Sequence, residues 1–419
     1  MVAQATEIVY LGECAKGYPL FKGKTAMSNE ALRDIAHLRP RTNKFSATLR
    51  VRNSLAFATH EFFNKAGFYY MHAPLITASD CEGAGEMFQV TTLIKEGALP
   101  ADTAGPSKEE VTAKEGDVSK AQGIVDEKIA AGKNKKSMKG DVKNLEARKK
   151  ELEVLNKKPA TVAGIPVTPD REIDYTNDFF GQAAFLTVSG QLQAEIGACA
   201  LSNVYTFGPT FRAEYSFTSR HLAEFWMIEP ELVFADLNDD MRLAEDYVRY
   251  CCQYLLDNNM DEMEYFADPK WGTDPEALNR LRLVASSTFE RCSYTKAIKI
   301  LQEVLATGHI FDKDDPKGKD GEKQHIEWGI DMASEHERYL CEVVFKKPVI
   351  VYNYPCAIKA FYMRRNDPGT DGAPGPTCAA MDVLVPGVGE LIGGSVREER
   401  HDVLVDAIKE TGRNTNAPL

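Results

Sequence analysis

The residues that invite a chemical reading lie in "GPTFRAEYSFTSRHLAEFWMIEPE", Gly208 to Glu231. Apolar and polar residues alternate at both ends, which predicts two strands joined by a loop. With a period of two, Thr206, Gly208, Thr210, Arg212 and Glu214 share one face, so Arg212 and Glu214 project together. An arginine fork suits a phosphate, and a neighbouring carboxylate can hold an amine or orient a base. Arg220 and His221 follow in the loop and can reach a polyphosphate, and Glu224 returns along the second strand toward the same floor. The competing reading is a salt-bridged surface hairpin.

Three further stretches carry candidate groups. In "ASDCEGAGEMFQV" small residues and glycines let backbone approach a ligand, and Glu86 closes the turn. In "VSGQLQAEIG" Gln191 follows a Ser-Gly pair at a strand end, where an amide can both donate and accept. In "AAMDVLVPGVGELIGGSVREER" Asp382 and Glu390 stand eight apart on strand-like sequence. They therefore share a face if no bulge intervenes, a pair suited to Mg²⁺ and polyphosphate. Two glycines and Arg397 follow. A glycine turn, a capping residue and edge-strand carboxylates are the structural alternatives for these three stretches. No P-loop occurs, no GxGxxG opens a helix after a strand, and no HExxH or comparable metal-ligand spacing is present.

The elements that must position these groups read as follows. Ser46 to Gly67 predicts a helix with Val51, Leu55, Ala58 and Phe62 on its apolar stripe and Gly67 at a left-handed end. "FYYMH" predicts a strand closed by Pro74. Residues 95–172 differ in composition: a Pro/Gly/Ala linker leads into a lysine-rich stretch with a thin seam at Leu145, Leu152 and Leu155. That stretch reads as a solvated, partly helical and largely disordered insertion, or as a lysine arm for RNA phosphates. After it come "FLTVSGQL", "VYTFGPTFRAE" and "EFWMIEPELVFAD" as strands. A helix from Leu237 to Asn258 follows, with Ala244, Tyr247, Val248, Cys251 and Leu255 on one face. Further helices are expected over 283–310, and strands in "KPVIVYNYP", "FYMRRN" and the stretch holding Asp382. Strands do not alternate with helices, so the predicted class is α+β, one antiparallel sheet flanked by helices.

The chain has 419 residues, 43% of them hydrophobic, and a formal net charge of −12. That is enough apolar material for a sizeable core, and the acidic balance argues against a chain-wide polyanion-binding surface. Nine cysteines without CxxC spacing suggest mostly buried thiols in a reducing compartment. No apolar run approaches a membrane span, and the start has no signal or transit pattern, so a cytoplasmic location is expected.

Taken together, "AHLRPRTNKF", "HAPLITASDCEGAGEMF", "AAFLTVSGQLQAE", "VYTFGPTFRAE", "TSRHLAEFWMIEPELVFADL", "SEHERYL" and "VGELIGGSVREER" resemble the class II aminoacyl-tRNA synthetases, specifically the asparaginyl family of the eukaryotic cytosol. The resemblance runs from about Gly12 to Glu410 around the lysine-rich insertion. It implies asparagine–tRNA ligase activity with ATP and Mg²⁺, and tRNA(Asn) and asparagine as partners. It also implies a homodimer through helix 46–67 and the Pro74 region, with no membrane association. Arg212 would be the catalytic cation on the ATP α-phosphate, with Glu214 seating the adenosine, and Arg220 and His221 meeting the outer phosphates. Leu222 would also line the ATP site. Asp382 and Glu390 would carry Mg²⁺, with Glu390 also touching ATP. Glu86 and Gln191 would hold the amino group of asparagine, and Glu224 and Arg397 would read its side-chain amide.

Aspartyl-tRNA synthetases share "FRAE" and "RHL", but "VSGQL" and "TASDCEGAGE" favour asparagine. The implied organisation is a lead-in over 1–45, a first catalytic part over 46–94, the insertion over 95–172 and a second catalytic part over 173–419. Neither the family's amino-terminal anticodon-binding barrel nor its third motif, which follows "REER", is expected in this sequence, so the antiparallel sheet is expected to be incomplete at its C-terminal end. Tyr215 and Phe217 stand where the family usually has amides. A non-catalytic RNA-binding or dimerising relative, an aspartyl enzyme and an amide-forming paralogue are the alternatives.

Overall fold

The computed structural model describes residues 6–14, 17–20, 27–79, 81, 85–94, 106, 108–133, 137–156, 160–162, 165–168, 172–215, 221–309, 311 and 325–411. Arg220 and Phe217 lie outside these residues. The helices are α1 (Asn29–Asp34), α2 (Asn43–Lys65), α3 (Lys108–Ala130), α4 (Lys139–Asn156), α5 (Gln191–Leu201), α6 (Leu237–Asn258), α7 (Met260–Ala267), α8 (Ala277–Ser286), α9 (Tyr294–Ala306), α10 (Ser334–Tyr339) and α11 (His401–Glu410). The strands are β1 (Tyr69–Tyr70), β2 (Ile76–Thr77), β3 (Gln89–Val90), β4 (Ala160–Val162), β5 (Ile165–Val167), β6 (Ala184–Leu186), β7 (Val204–Phe211), β8 (Glu224–Glu231), β9 (Glu290–Ser293), β10 (Val349–Pro355), β11 (Thr377–Val385) and β12 (Gly389–Ser395). The chain divides into two units, one of Met1–Tyr70, Ala198–Val204 and Leu232–Leu419, the other of Met71–Gly197 and Tyr205–Glu231.

In the first unit α2 begins where the Thr42 side chain accepts from the Phe45 N–H, and Gly67 follows it in the left-handed region at φ +84°. Its buried stripe is Ala47, Ala58, Thr59 and Phe63, so of the expected apolar positions only Ala58 is fully buried. Helix α6 has the bounds the sequence predicts. Asp236 caps it in a reciprocal capping box with Asp239. The two helices meet through Phe62, Phe63 and Tyr247, and Thr59 Oγ1 lies 2.8 Å from the Tyr247 hydroxyl.

The sheet of this unit runs in the order β12-β11-β10-β9. β10–β11 and β11–β12 are antiparallel, but β9 pairs parallel to β10 through Val349↔Glu290 to Tyr352↔Ser293. The expectation of one purely antiparallel sheet is corrected here, as is the purely helical reading of 283–310. The β9 segment Glu-Arg-Cys-Ser has no β-branched residue, so its strand comes from pairing with the fully buried β10 rather than from local propensity. "FYMRRN" forms only isolated bridges, Met363↔Arg397 and Arg365↔Cys378. The core on one side of the sheet gathers Tyr294, Ile298, Leu301, Leu340 and Leu384, and on the other Met241, Val248, Ile350 and Val383.

The second unit holds a small sheet β2-β6-β3 and the hydrogen-bonded neighbours β7 and β8. Its α3 and α4 pack around Ala121, Val125 and Leu145. Lys114 pairs with Glu151 at 2.8 Å and Lys128 with Asp141 at 2.8 Å, so lysines of this segment are matched within the hairpin. Helix α3 is acidic on balance and was not anticipated, because its apolar positions are sparse. Helix α5 was also missed. Gly197 in its interior reads as a break, yet a side chain there would collide with Met71, which packs flat on the helix.

Four cysteines, Cys81, Cys292, Cys341 and Cys378, are buried, whereas Cys14 and Cys199 are exposed. Burial is thus less general than expected. All nine are free thiols.

Candidate functional site

Within the second unit, Arg212 follows β7 and its N–H donates to the Ala223 carbonyl at 3.1 Å. Its guanidinium carbon lies 5.3 Å over the Phe225 ring. The ring fixes the fork's plane by a cation–π contact. The Nε atom of Arg212 is buried and has no hydrogen-bond partner among the described residues. A buried donor without a partner is costly unless a ligand completes it.

Glu214 accepts from the Glu86 N–H at 3.2 Å, and Ala213 donates to the Glu86 carbonyl at 2.7 Å. Gly85 makes this approach possible: a Cβ there would stand 2.5 Å from Glu214 Oε1 and 3.1 Å from the Arg212 stem. The structure thus brings Glu86, Arg212 and Glu214 together. His221, Leu222 and Glu224 are exposed at the start of the return strand.

Gln191 is the first residue of α5, not the end of a strand. Its Nε2 donates to Glu195 at 2.9 Å. The turn before it is held by Glu229, which accepts from the Gly190 N–H at 2.9 Å, from Thr206 Oγ1 at 2.9 Å and from the Ser189 hydroxyl. Glu229 is legible in the sequence only as one more charge on the hairpin. Its role in fixing the Gln191 turn comes from tertiary contacts.

Within the first unit, Asp382 lies on β11 and Glu390 on β12, across a hairpin rather than along one strand. The register pairs Asp382 with Gly393 and Leu384 with Glu390, with an irregularity between Val383 and Leu384. Both carboxylates still converge. A Cβ on Gly393 would lie 3.4 Å from Glu390 Oε1 and 3.5 Å from Asp382 Oδ1. Lys359 Nζ holds the other oxygen of Asp382 at 2.7 Å.

Two oxygens converging over a glycine, with the second Asp382 oxygen already neutralised, fit a hard divalent cation such as Mg²⁺ that takes its remaining ligands from phosphates and water. Among the described residues no group of three or more Asp, Glu, His or Cys is arranged to hold a metal on its own. Partial desolvation and the Asp382 charge raise the Glu390 carboxyl. Glu337 of α10 was not predicted. Burial, then the charges of Glu390 and Asp382, push its carboxyl up to about 7. The motif "SEHERYL" was its only sequence signal.

Arg397 follows β12. Its guanidinium carbon lies 4.9 Å over the Tyr362 ring, and its backbone bridges to Met363. The next residue, Glu398, is a buried lock: it accepts two bonds from Arg400 at 2.7 Å each and one from the Arg365 N–H at 3.1 Å. Its own N–H donates to the Tyr362 carbonyl at 2.8 Å.

An antiparallel-dominated sheet flanked by helices, an arginine on a hairpin and a convergent carboxylate pair define the catalytic fold of the class II tRNA synthetases. Residues 166–418 match that family (D, K and N). The chain is 53% identical to the cytoplasmic asparagine–tRNA ligase 1 of Arabidopsis thaliana over 95% of its length and 66% of the relative's. It is 47% identical to the asparagine–tRNA ligase of Protochlamydia amoebophila over 97% of its length and 68% of the relative's. Its fold matches the asparaginyl-tRNA synthetase of Pyrococcus horikoshii, solved with asparaginyl-adenylate, at a TM-score of 0.61 and 28% identity, covering 97% of this chain and 66% of that one. The chain belongs to the asparaginyl branch of the class II tRNA synthetases, and it spans about two thirds of the length of the relatives it matches. The aspartyl and non-synthetase alternatives are not favoured.

Proposed function

We propose that this chain carries the amino-acid activation site of an asparagine–tRNA ligase. The asparagine α-carboxylate attacks the α-phosphorus of ATP. A carboxylate oxygen–phosphorus bond forms as the bond from the α-phosphorus to the bridging oxygen breaks, and pyrophosphate leaves. The activated asparagine then passes to the 3′ end of tRNA(Asn).

Arg212 neutralises charge on the α-phosphate in line with the attack, and Glu214 seats the adenosine beside it. Arg220, His221 and Leu222 meet the rest of ATP. Glu86 and Gln191 hold the substrate ammonium, and Glu224 and Arg397 read the side-chain amide. Asp382 and Glu390 hold Mg²⁺, which supplies charge neutralisation on the phosphates when bound. A polar readout of this kind discriminates strongly without editing.

The observation that carries the reading is Arg212: its fork is held over Phe225, and its buried Nε is left for a ligand. The name of the Arabidopsis relative supports a cytoplasmic location, and no described helix is long and apolar enough to cross a membrane. Exposed Leu49 and Phe57 on α2 support self-association as a homodimer.

Asparagine-dependent ATP–pyrophosphate exchange, with aspartate as control, tests the reading. Arg212→Ala should lower exchange about 100-fold or more, in line with loss of one preorganised charge-stabilising donor. It should leave the unfolding midpoint unchanged, since Nε has no described partner to lose. Unaltered ATP affinity in that variant, or equal exchange with aspartate in the parent, would refute it.

A further inference from the structure

Asp240 is absorbed by none of the roles above. It lies in the first turn of α6, four residues after the Asp236 cap, where the exposed N–H groups of the helix favour negative charge. The side chain turns toward β12. A Cβ on Gly394 would stand 2.8 Å from Asp240 Oδ2, 3.5 Å from its Cγ and 2.7 Å from the Met381 methyl. Gly394 is therefore the position that lets this carboxylate press against the strand, three residues before Arg397. The two adjacent glycines serve opposite faces: Gly393 clears the Asp382–Glu390 pair, and Gly394 clears Asp240.

Arg397 is constrained elsewhere by the Tyr362 ring and the bridge to Met363. Burial pushes the Asp240 carboxyl up to about 6, and the Arg397 charge opposes that rise. At neutral pH the carboxylate is ionised and acts on the guanidinium.

We propose that Asp240 is a specificity-determining positioning residue. It holds the Arg397 guanidinium against Tyr362 and cancels much of its charge, so a neutral side-chain amide is accepted while a side-chain carboxylate gains too little attraction to bind. The proposal rests on the role given to Arg397 above. Physically it is discrimination by withheld attraction: an arginine alone prefers an anion, and only a counter-charge makes it a reader of a neutral carbonyl oxygen.

The test measures binding of the sulfamoyl analogues of asparaginyl- and aspartyl-adenylate by calorimetry, and the position of Arg397 in crystals. Asp240→Asn should let the guanidinium leave the Tyr362 ring and narrow the preference for the asparaginyl analogue by about tenfold or more, mainly by tighter binding of the aspartyl one. Asp240→Glu should keep most of the preference. Gly394→Ala displaces the carboxylate without removing it and should narrow the preference as well, which keeps the test open if Asp240→Asn folds poorly. An unchanged preference in both Asp240→Asn and Gly394→Ala overturns the proposal, as does a guanidinium that stays over Tyr362. A parent chain that binds neither analogue refutes the asparagine-activation reading instead, while the guanidinium position in ligand-free crystals still decides whether Asp240 holds Arg397.

Discussion

Replacing Glu398 with glutamine removes one charge from the lock that fixes Arg397. The Glu398 side chain is 1% exposed, while its partner Arg400 is 42% exposed. The paired guanidinium first, then the N–H groups of Arg365 and Arg400, hold its carboxyl down from the usual 4.5 to about 2. Each tenfold change in proton affinity is worth about 1.4 kcal/mol, so a fully dry site would contribute about 3 kcal/mol. Arg400 keeps its water, so about 1–2 kcal/mol remains after screening.

The folded proton affinity is lowered, so this stability is present above pH 4.5 and is lost as pH falls through about 2. Glutamine also points an NH₂ at Arg400 donors. Urea denaturation should find Glu398→Gln destabilised by about 1–2 kcal/mol at pH 7, with the gap shrinking by about half or more by pH 3. The asparagine KM should rise, because the segment after β12 loses its tie to Tyr362 and Arg365. A gap that is absent at pH 7, or the same at pH 7 and pH 3, would refute the assignment of a buried, charge-dependent lock.

The adjacent glycines should separate stability from binding. Gly394→Ala should cost about 1–2 kcal/mol, since two atoms within 2.8 Å of the new methyl must move. Gly393→Ala, whose contacts begin at 3.4 Å, should change stability by less than about 0.5 kcal/mol. It fills the space between Asp382 and Glu390, so Mn²⁺ binding followed by electron paramagnetic resonance should weaken about tenfold. Glu337 gives a pH signature of opposite sign. Its raised carboxyl means the folded state holds a proton the unfolded chain has released, so its contribution falls as pH rises from 4.5 to about 7. Metal-free Glu337→Gln should gain about 1 kcal/mol on the parent between pH 5 and pH 8, discounted for partial exposure. An equal difference at both pH values would exclude that cause.

Long, strongly patterned elements were legible in the sequence. Helix α6 matches its predicted bounds because an Asp cap and a continuous apolar stripe both act locally. The Gly67 end of α2 was legible for the same reason. Elements whose identity depends on partners were not. β9 is a strand through its parallel pairing with β10, and α5 tolerates Gly197 because Met71 needs the room. The α2 stripe is displaced from its predicted positions, since the partners Tyr247 and Tyr250 select which face is covered.

The candidate groups divide along the same line. The sequence alone determined that Arg212 and Glu214 share a strand face and that a glycine turn stands before Glu86, because a strand's period and a glycine's freedom are properties of the local chain. It also carried enough ordered motif to indicate the family. Only the tertiary structure decided that Asp382 and Glu390 converge across a hairpin, that Glu229 fixes the turn before Gln191, and that Glu337 and Asp240 stand behind the carboxylate pair and Arg397. Those relations join residues far apart in the chain. What creates them is sheet register and the space left by a missing Cβ, quantities that no stretch of sequence contains by itself.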